Sequence, residues 1–229
     1  MADPLGNKHP NKWNWIVAFV FAAVLMVLVG YRQYCNEAQF VDNDCAENLA
    51  SVGTLKANQI GEWRRERLAD CKRFSQGPTL IKAARNYLAN PEDPACREDF
   101  RNILDLNRKT GFYCNAMATT REGACLLAAE PLRETLGNST LLAIQTAAVT
   151  HEPAFSAIYR SSDDRVVIDV AAPVVDPGGS LICIFMLRCD ASTYLYPLIR
   201  FWPTDSTTSE TLLVRREGDR VVYLNDLRH

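Results

Sequence analysis

The sequence predicts an α+β fold, with helices first and then one antiparallel sheet into which a helix is inserted. Two observations carry this. From Asp44 to Phe74 there is no proline and apolar residues recur near the helical period, whereas after Gly111 they alternate at the period of strands. Clusters of Gly, Pro and Asp then divide the second half of the 229-residue chain into short segments.

The first element, "WNWIVAFVFAAVLMVLVGY" from Trp13 to Tyr31, is apolar except for Asn14. At ~1.5 Å rise per residue it crosses a hydrocarbon core of ~30 Å, with Trp13, Trp15 and Tyr31 as interfacial anchors. A cleavable signal peptide would have a shorter apolar region ending in a small-x-small site. Bulky, polar Gly30-Tyr31-Arg32-Gln33-Tyr34 follows instead, so the span reads as an uncleaved anchor. Tyr34 before Cys35 likewise argues against a lipoprotein signal. Lys8 and Lys12 precede the span, and Arg32 after it is outnumbered by Glu37, Asp42, Asp44 and Glu47. Positive residues favour the cytoplasmic side, which puts the N-terminus inside and everything after Tyr31 outside.

The long helix that follows carries Cys45, Leu49, Val52, Ile60 and Trp63 at near-helical spacing. That stripe is a candidate face for a parallel homodimer, the alternative being packing on the protein's own sheet. Gly53 and Gly61 weaken the helix by up to ~1 kcal/mol each relative to Ala without ending it. "SQGPT" at Ser75 to Thr79 does end it. Two shorter helices, Pro78 to Leu88 and Asp93 to Lys109, are joined by "NPEDPA".

"FYCNAMATTREGACLLAAEP" then gives a strand, a turn over Thr120 to Gly123 and a second strand. A helix from Ser139 to Ala148 follows, with Asn138 or Ser139 able to cap its first turn. Three strands come next, "AFSAIYR", "RVVIDVAAPVV" and "SLICIFMLRC", separated by turns at Asp163-Asp164 and Pro177-Gly178-Gly179. A last hairpin pairs Thr211–Arg215 with Arg220–Leu224 around Glu217-Gly218-Asp219. It repeats the form of the hairpin at Thr120 to Gly123, after the first sheet is already complete. A lone hairpin is marginal in water, so the stretch reads as the start of a second module lying past the end of the chain. Leu212, Val214, Val222 and Leu224 are expected on one uncovered face.

Composition excludes some functions. With 48% hydrophobic residues the chain can bury a sizeable core, while a net charge of −2 gives no basic footprint for nucleic acid. Arg64-Arg65-Glu66-Arg67 reads as a solvated helix face. The histidines, His9, His151 and His229, are too scattered for a metal cluster, and no phosphate-binding glycine loop or Gly-x-Ser-x-Gly elbow occurs. His151 reads as a loop or helix-end residue, and Asn138-Ser-Thr as a helix cap, not a glycosylation acceptor. No enzyme activity, metal or cofactor is expected.

The eight cysteines offer few pairings. Cys183 and Cys189 share one strand, roughly 20 Å apart at ~3.3 Å per residue, and cannot bridge. Pairing Thr119 with Ala124 sets Cys125 opposite Ala118 and leaves Cys114 unmatched. Most are expected to be small core or surface residues, and a bridge from Cys71 to Cys96 stays open.

The order of a membrane helix, a long helix with "LKANQIGEWRRERLADC", then "VVIDVAAPVV", and finally "YLYPLIRFWPTDSTTSETLLVRREGDRVVYLNDLRH" resembles a known family. It is similar to the double-Cache, PAS-like extracytoplasmic sensor region of bacterial histidine kinases and PAS-GGDEF signalling proteins. The resemblance runs from about Leu49 to His229. It implies a membrane-distal module, followed in relatives by a second module, a second membrane helix and a cytoplasmic output domain, none of which this sequence contains. It also implies a ligand pocket between the sheet and the segments covering one face.

The polar residues that interrupt apolar strands are the candidate ligand contacts: Tyr113, Ser156, Tyr159, Asp169 and Arg188. Asp169, set in "VVIDVAAP", is the foremost. Alternation could instead turn it to solvent, or it could hold a buried backbone group. The expected organisation is a cytoplasmic tail at 1–12, a membrane helix at 13–31, a long extracytoplasmic helix at 32–75, a Cache module at 76–203, and a linker with an unfinished hairpin at 204–229. The expected function is the small-molecule-sensing input region of a bacterial inner-membrane signalling protein, homodimeric through its long helix, with its output domain absent from this chain. The alternative is a membrane-anchored interaction protein or a truncated relative without output.

The orientation is checked by fusions. Alkaline phosphatase joined after Leu49 should be active and β-galactosidase there inactive; the opposite pattern would place the C-terminal region in the cytoplasm.

Overall fold

The computed structural model describes residues 12–111, 113–132, 134–202 and 210–225. Contacts divide the chain into two units, with the boundary between Leu55 and Lys56. Helix α1, Lys12–Ser75, begins in the first and ends in the second. Within the first unit its described side chains from Trp13 to Val29 are all exposed. Among the described residues this is the one helix long and apolar enough to cross a membrane.

In the second unit, α1 is followed by α2, Pro78–Ala89, and α3, Pro94–Thr110. Each opens on a proline, whose missing N–H belongs to the unsatisfied first turn anyway. Asp93 adds a side-chain cap, accepting from Ala95 N at 3.0 Å. A six-stranded antiparallel sheet then runs in the order β2-β1-β6-β5-β3, with β4 also on β5. Its strands are β1, Asn115–Thr119; β2, Cys125–Ala128; β3, Ala154–Phe155; β4, Tyr159–Arg160; β5, Val166–Val175; and β6, Leu181–Asp190. Helix α4, Asn138–Thr150, lies between β2 and β3 in sequence.

Side-chain alternation sorts the core into two faces. Ala116, Ala118, Val170, Ala172, Phe185 and Leu187 pack with Leu80, Ala84, Phe100, Leu104 and Cys71 of the first three helices. Met117, Ala171, Ile184 and Met186 pack on the opposite face against Ala143, Ile144 and Ala147 of α4. Trp63 and Ile60 also belong to this unit's core, Trp63 with its ring 6.0 Å from that of Phe155. Both are half-buried and pack on their own sheet, while Leu49 is exposed and Val52 half-buried.

Other sequence-based expectations are corrected locally. Asn138 and Ser139 do not cap α4: the N-cap is Gly137, and Ser139 Oγ instead accepts from Ala157 N at 2.7 Å. "AFSAIYR" is broken into β3 and β4, because Ser156 turns its hydroxyl onto Asp169 N at 2.9 Å and Ala157 is held by Ser139. In the first hairpin Thr119 pairs with Cys125, not Ala124, and the register shifts between Ala118 and Thr119. Thr120 Oγ1 accepts from Glu122 N and Ala124 N, closing a longer turn in which Gly123 takes φ 92°. The cysteines are free: Cys71 points at Val170 O from the core, and Cys96 at Asp93 on α3.

A short helix α5, Leu195–Arg200, leads toward a separate two-stranded sheet of β7, Val214–Glu217, and β8, Arg220–Tyr223. Lys56, buried, donates to Leu198 O at 2.7 Å and to Phe201 O, holding the end of α5 to α1. Val214 lies opposite Tyr223, which puts Val221 and Tyr223, not Val222 and Leu224, on the exposed face with Leu212 and Val214. One residue of register swaps the faces of a strand. The inner side is tied down through Leu213, which packs with Ile168 and Leu195, and through Arg215 Nη1, which donates to Ile158 O at 2.9 Å.

β7 and β8 hydrogen-bond only with each other among the described strands, while β5 is paired along both edges. Amide hydrogen exchange should therefore be faster at Val214–Tyr223 than at Val166–Ala171. Equal protection of the two would show the hairpin to be an integral part of the main core.

Candidate ligand-binding site

β5 and β6 bring Asp169 directly opposite Arg188, both on the face that α4 covers. Arg188 Nε donates to Asp169 Oδ1 at 2.8 Å and Nη2 to Oδ2 at 3.3 Å, with side-chain exposures of 7% and 0%. Three further contacts close on this pair. Thr140 of α4 donates to Asp169 Oδ2 at 2.8 Å, and the Tyr159 hydroxyl of β4 donates to the same oxygen at 2.5 Å. Arg188 Nη2 in turn donates to the Tyr159 oxygen at 2.6 Å.

Each ion would cost several kcal/mol to bury alone, and the complete set of partners offsets that cost. Burial works against the Arg188 cation, yet the Asp169 carboxylate more than restores it, holding the guanidinium above the ordinary arginine range. Burial also pushes the Tyr159 phenol well up, and the Asp169 charge adds to it, so the hydroxyl stays a donor.

Outward from Arg188 lies a cavity of about 420 Å³. Three arginines reach it, Arg108, Arg165 and Arg188, and three carboxylates, Glu130, Glu134 and Asp163. They are already matched: Arg108 lies 3.3 Å from Glu130, Arg165 donates to Asp163 at 2.6 Å, and Arg188 Nη1 donates to Glu134 at 2.8 Å. The Arg165 and Ser161 hydrogen bonds hold the Asp163 carboxyl down to about 2. Cys114 also lines the cavity, its thiol pushed up to about 11 by burial and hence neutral at physiological pH. Among the described residues no three or more His, Cys, Asp or Glu side chains are grouped as for a metal.

The structure gathers four of the five sequence candidates and separates one. Asp169, Arg188 and Tyr159 form the buried cluster, with Asp169 shielded from the cavity behind Arg188. Ser156 touches it only through the backbone, its hydroxyl accepting from Asp169 N and donating to Ala157 O at 2.8 Å. Tyr113 lies in the core of the opposite face, where its hydroxyl donates to Asp70 Oδ2 at 2.9 Å. Thr140, Glu134, Arg108 and Arg165 are not distinguished by the sequence. Thr140 sits in the first turn of a helix, and the rest fall in loop or helix-end positions without periodicity.

No protein-family model and no curated protein matches the chain. Solved structures do. The ligand-binding domain of the Campylobacter jejuni chemoreceptor Tlp3 in complex with 4-methylisoleucine superposes with TM-score 0.51 at 13% identity, over 66% of this chain and 60% of that one. A second structure of the Tlp3 sensory domain gives 0.51 at 15% identity, over 66% and 62%. The V. cholerae histidine kinase DctB sensor domain gives 0.54 at 13% identity, over 73% and 61%. The likeness is one of fold, that of Cache-type sensor domains, and the chain spans only about three fifths of those structures.

Replacing Asp169 by Ala takes from the Arg188 cation its fully buried partner, leaving only Glu134 on the cavity side, and should lower the stability of the domain by about 3–5 kcal/mol in denaturant titrations. The paired change Asp169→Leu with Arg188→Met should cost less than Asp169→Ala alone. A single mutant milder than the double would show that the buried pair is not formed.

Proposed function

We propose that a Cache-type sensor fold, anchored by an apolar helix, makes this chain the ligand-sensing input region of a membrane signal-transduction protein. The cavity beside Arg188 carries the proposal. It has the size of a small-molecule site, and its matched positive and negative groups suit a ligand that itself bears both charges. The Tlp3 domain, alike in fold, is described in complex with an amino acid of that kind. A zwitterionic, amino-acid-like small molecule is accordingly the proposed ligand, and Arg188 and Arg165 the residues through which it is held. Asp169 positions Arg188 and is not itself a contact.

In this proposal the start of α1 crosses a bacterial inner membrane with Lys8 and Lys12 inside, and the sheet faces the periplasm. The part of α1 around Leu49 and Val52 meets a second copy. Ligand binding at Arg188 would bias β6, whose next residue, Cys189, is packed in the core beneath α1.

The test is isothermal titration of the detergent-solubilised full chain with a panel of the common amino acids. At least one should bind, and Arg165→Ala, which removes a half-exposed cation from the cavity, should weaken that binding about tenfold or more. Failure of the whole panel to bind the wild-type chain would overturn the ligand class.

A further inference from the structure

The cavity already contains a carboxylate of the chain's own. Glu134 belongs to the segment joining β2 to α4, and that segment is pinned at its start. Asn115 Nδ2 donates to Glu130 O at 2.9 Å, and Glu130 N donates to Asn115 Oδ1 at 3.0 Å. Further along, Glu134 reaches across the cavity: Oε1 accepts from Arg188 Nη1 at 2.8 Å, and Oε2 accepts from Ser162 N in the β4–β5 turn at 2.6 Å. One carboxylate thus bridges β6 to a loop that no strand pairing holds to it.

The other donors of Arg188 point inward. Nε and Nη2 are committed to Asp169 and Tyr159, and the Nη1 bond runs outward to Glu134. A planar guanidinium offering one edge to a fully buried partner and another to a cavity is a receptor for a carboxylate. Glu134, less deeply buried than Arg188, occupies it.

We propose that Glu134 is a built-in competitor, an internal carboxylate seated where a ligand's carboxylate binds, so that ligand displaces Glu134 and frees the β2–α4 strap from the Ser162 turn. This rests on the cavity's being the ligand site. It adds that the ligand carries a carboxylate, and that binding is read as release of a strap. Affinity is set by how often the strap opens, because a ligand meets only the fraction of molecules in which Arg188 Nη1 is free. The site's resting state is therefore closed by its own chain.

The experiment compares the wild-type full chain in detergent with Glu134→Ala, titrating acetate as the probe carboxylate and glycinamide as a cation that lacks one. Acetate should bind Glu134→Ala about tenfold or more tightly than wild type, the gain expected when a minor open state of about 10% or less becomes the only state. Glycinamide should show no such gain. Glu134→Gln, which keeps the shape, should fall between the two. Glu122→Ala removes the same charge from the β1–β2 turn, outside the cavity, and should change acetate affinity less than about threefold.

Equal acetate affinity in wild type and Glu134→Ala overturns the competitor, as does an equal gain in Glu122→Ala or no acetate binding to any of them. The proposed ligand class falls only if the amino-acid panel also fails on the wild type, so the two failures are distinguishable.

Discussion

The buried pairing of Asp169 with Arg188 is the constraint from which the rest of the sheet's second face follows. Two opposite charges sit in direct register on the two longest strands, on the side covered by α4. A slip of one residue between β5 and β6 would turn one charge into the apolar face and leave the other unpaired, so the register has no neighbouring alternative. Three elements around that face each contribute a polar group to the same point. α4 brings Thr140, β4 brings Tyr159, and the strap before α4 brings Glu134. The irregular backbone between β3 and β4 follows as well, since Ser156 N still donates to Asp169 O while its hydroxyl, not its carbonyl, takes the Asp169 amide.

The opposite face has no such centre. Its strands present mainly Ala, Val, Phe and Leu to the first three helices, and the tyrosine hydroxyls buried there are each satisfied locally, Tyr113 by Asp70 and Tyr87 by Leu126 O. In the proposed sensor, this asymmetry links site and signal. Arg188 and Cys189 are consecutive on β6 and point to opposite faces, so the residue at the cavity and the packing under α1 share one backbone segment. Lys56 adds a second tie, from α1 to the end of α5.

Much of this is legible in the sequence, and the misses have physical causes. Period alone locates α2, α3, β5 and β6 to within a residue or so, because each buries a full stripe or both faces. An acid within "VVIDVAAP" marks Asp169, since a carboxylate in an apolar run must have partners. Alternation fails for Tyr113 because it precedes β1: its N–H returns to Arg108 O at 2.9 Å, and the ring follows that turn to the α1 side. Glu134 carries no signal, for a loop has no period and its partners lie far along the chain. The same long reach, from Ser139 to Ala157, breaks a segment that local pattern reads as one strand.

Arg188, in the proposed mechanism, has two edges with different duties, the inner one locked by Asp169 and the outer one exchangeable between Glu134 and a ligand. Side-chain nitrogen NMR of Arg188 measures this directly. The Nε–H of Arg188 should exchange slowly with solvent, and its signal should hold its position when a bound carboxylate ligand is added, while the Ser162 amide signal moves as Glu134 leaves it. A rapidly exchanging Nε–H, or a Ser162 amide unmoved at saturating ligand, would contradict this division of roles.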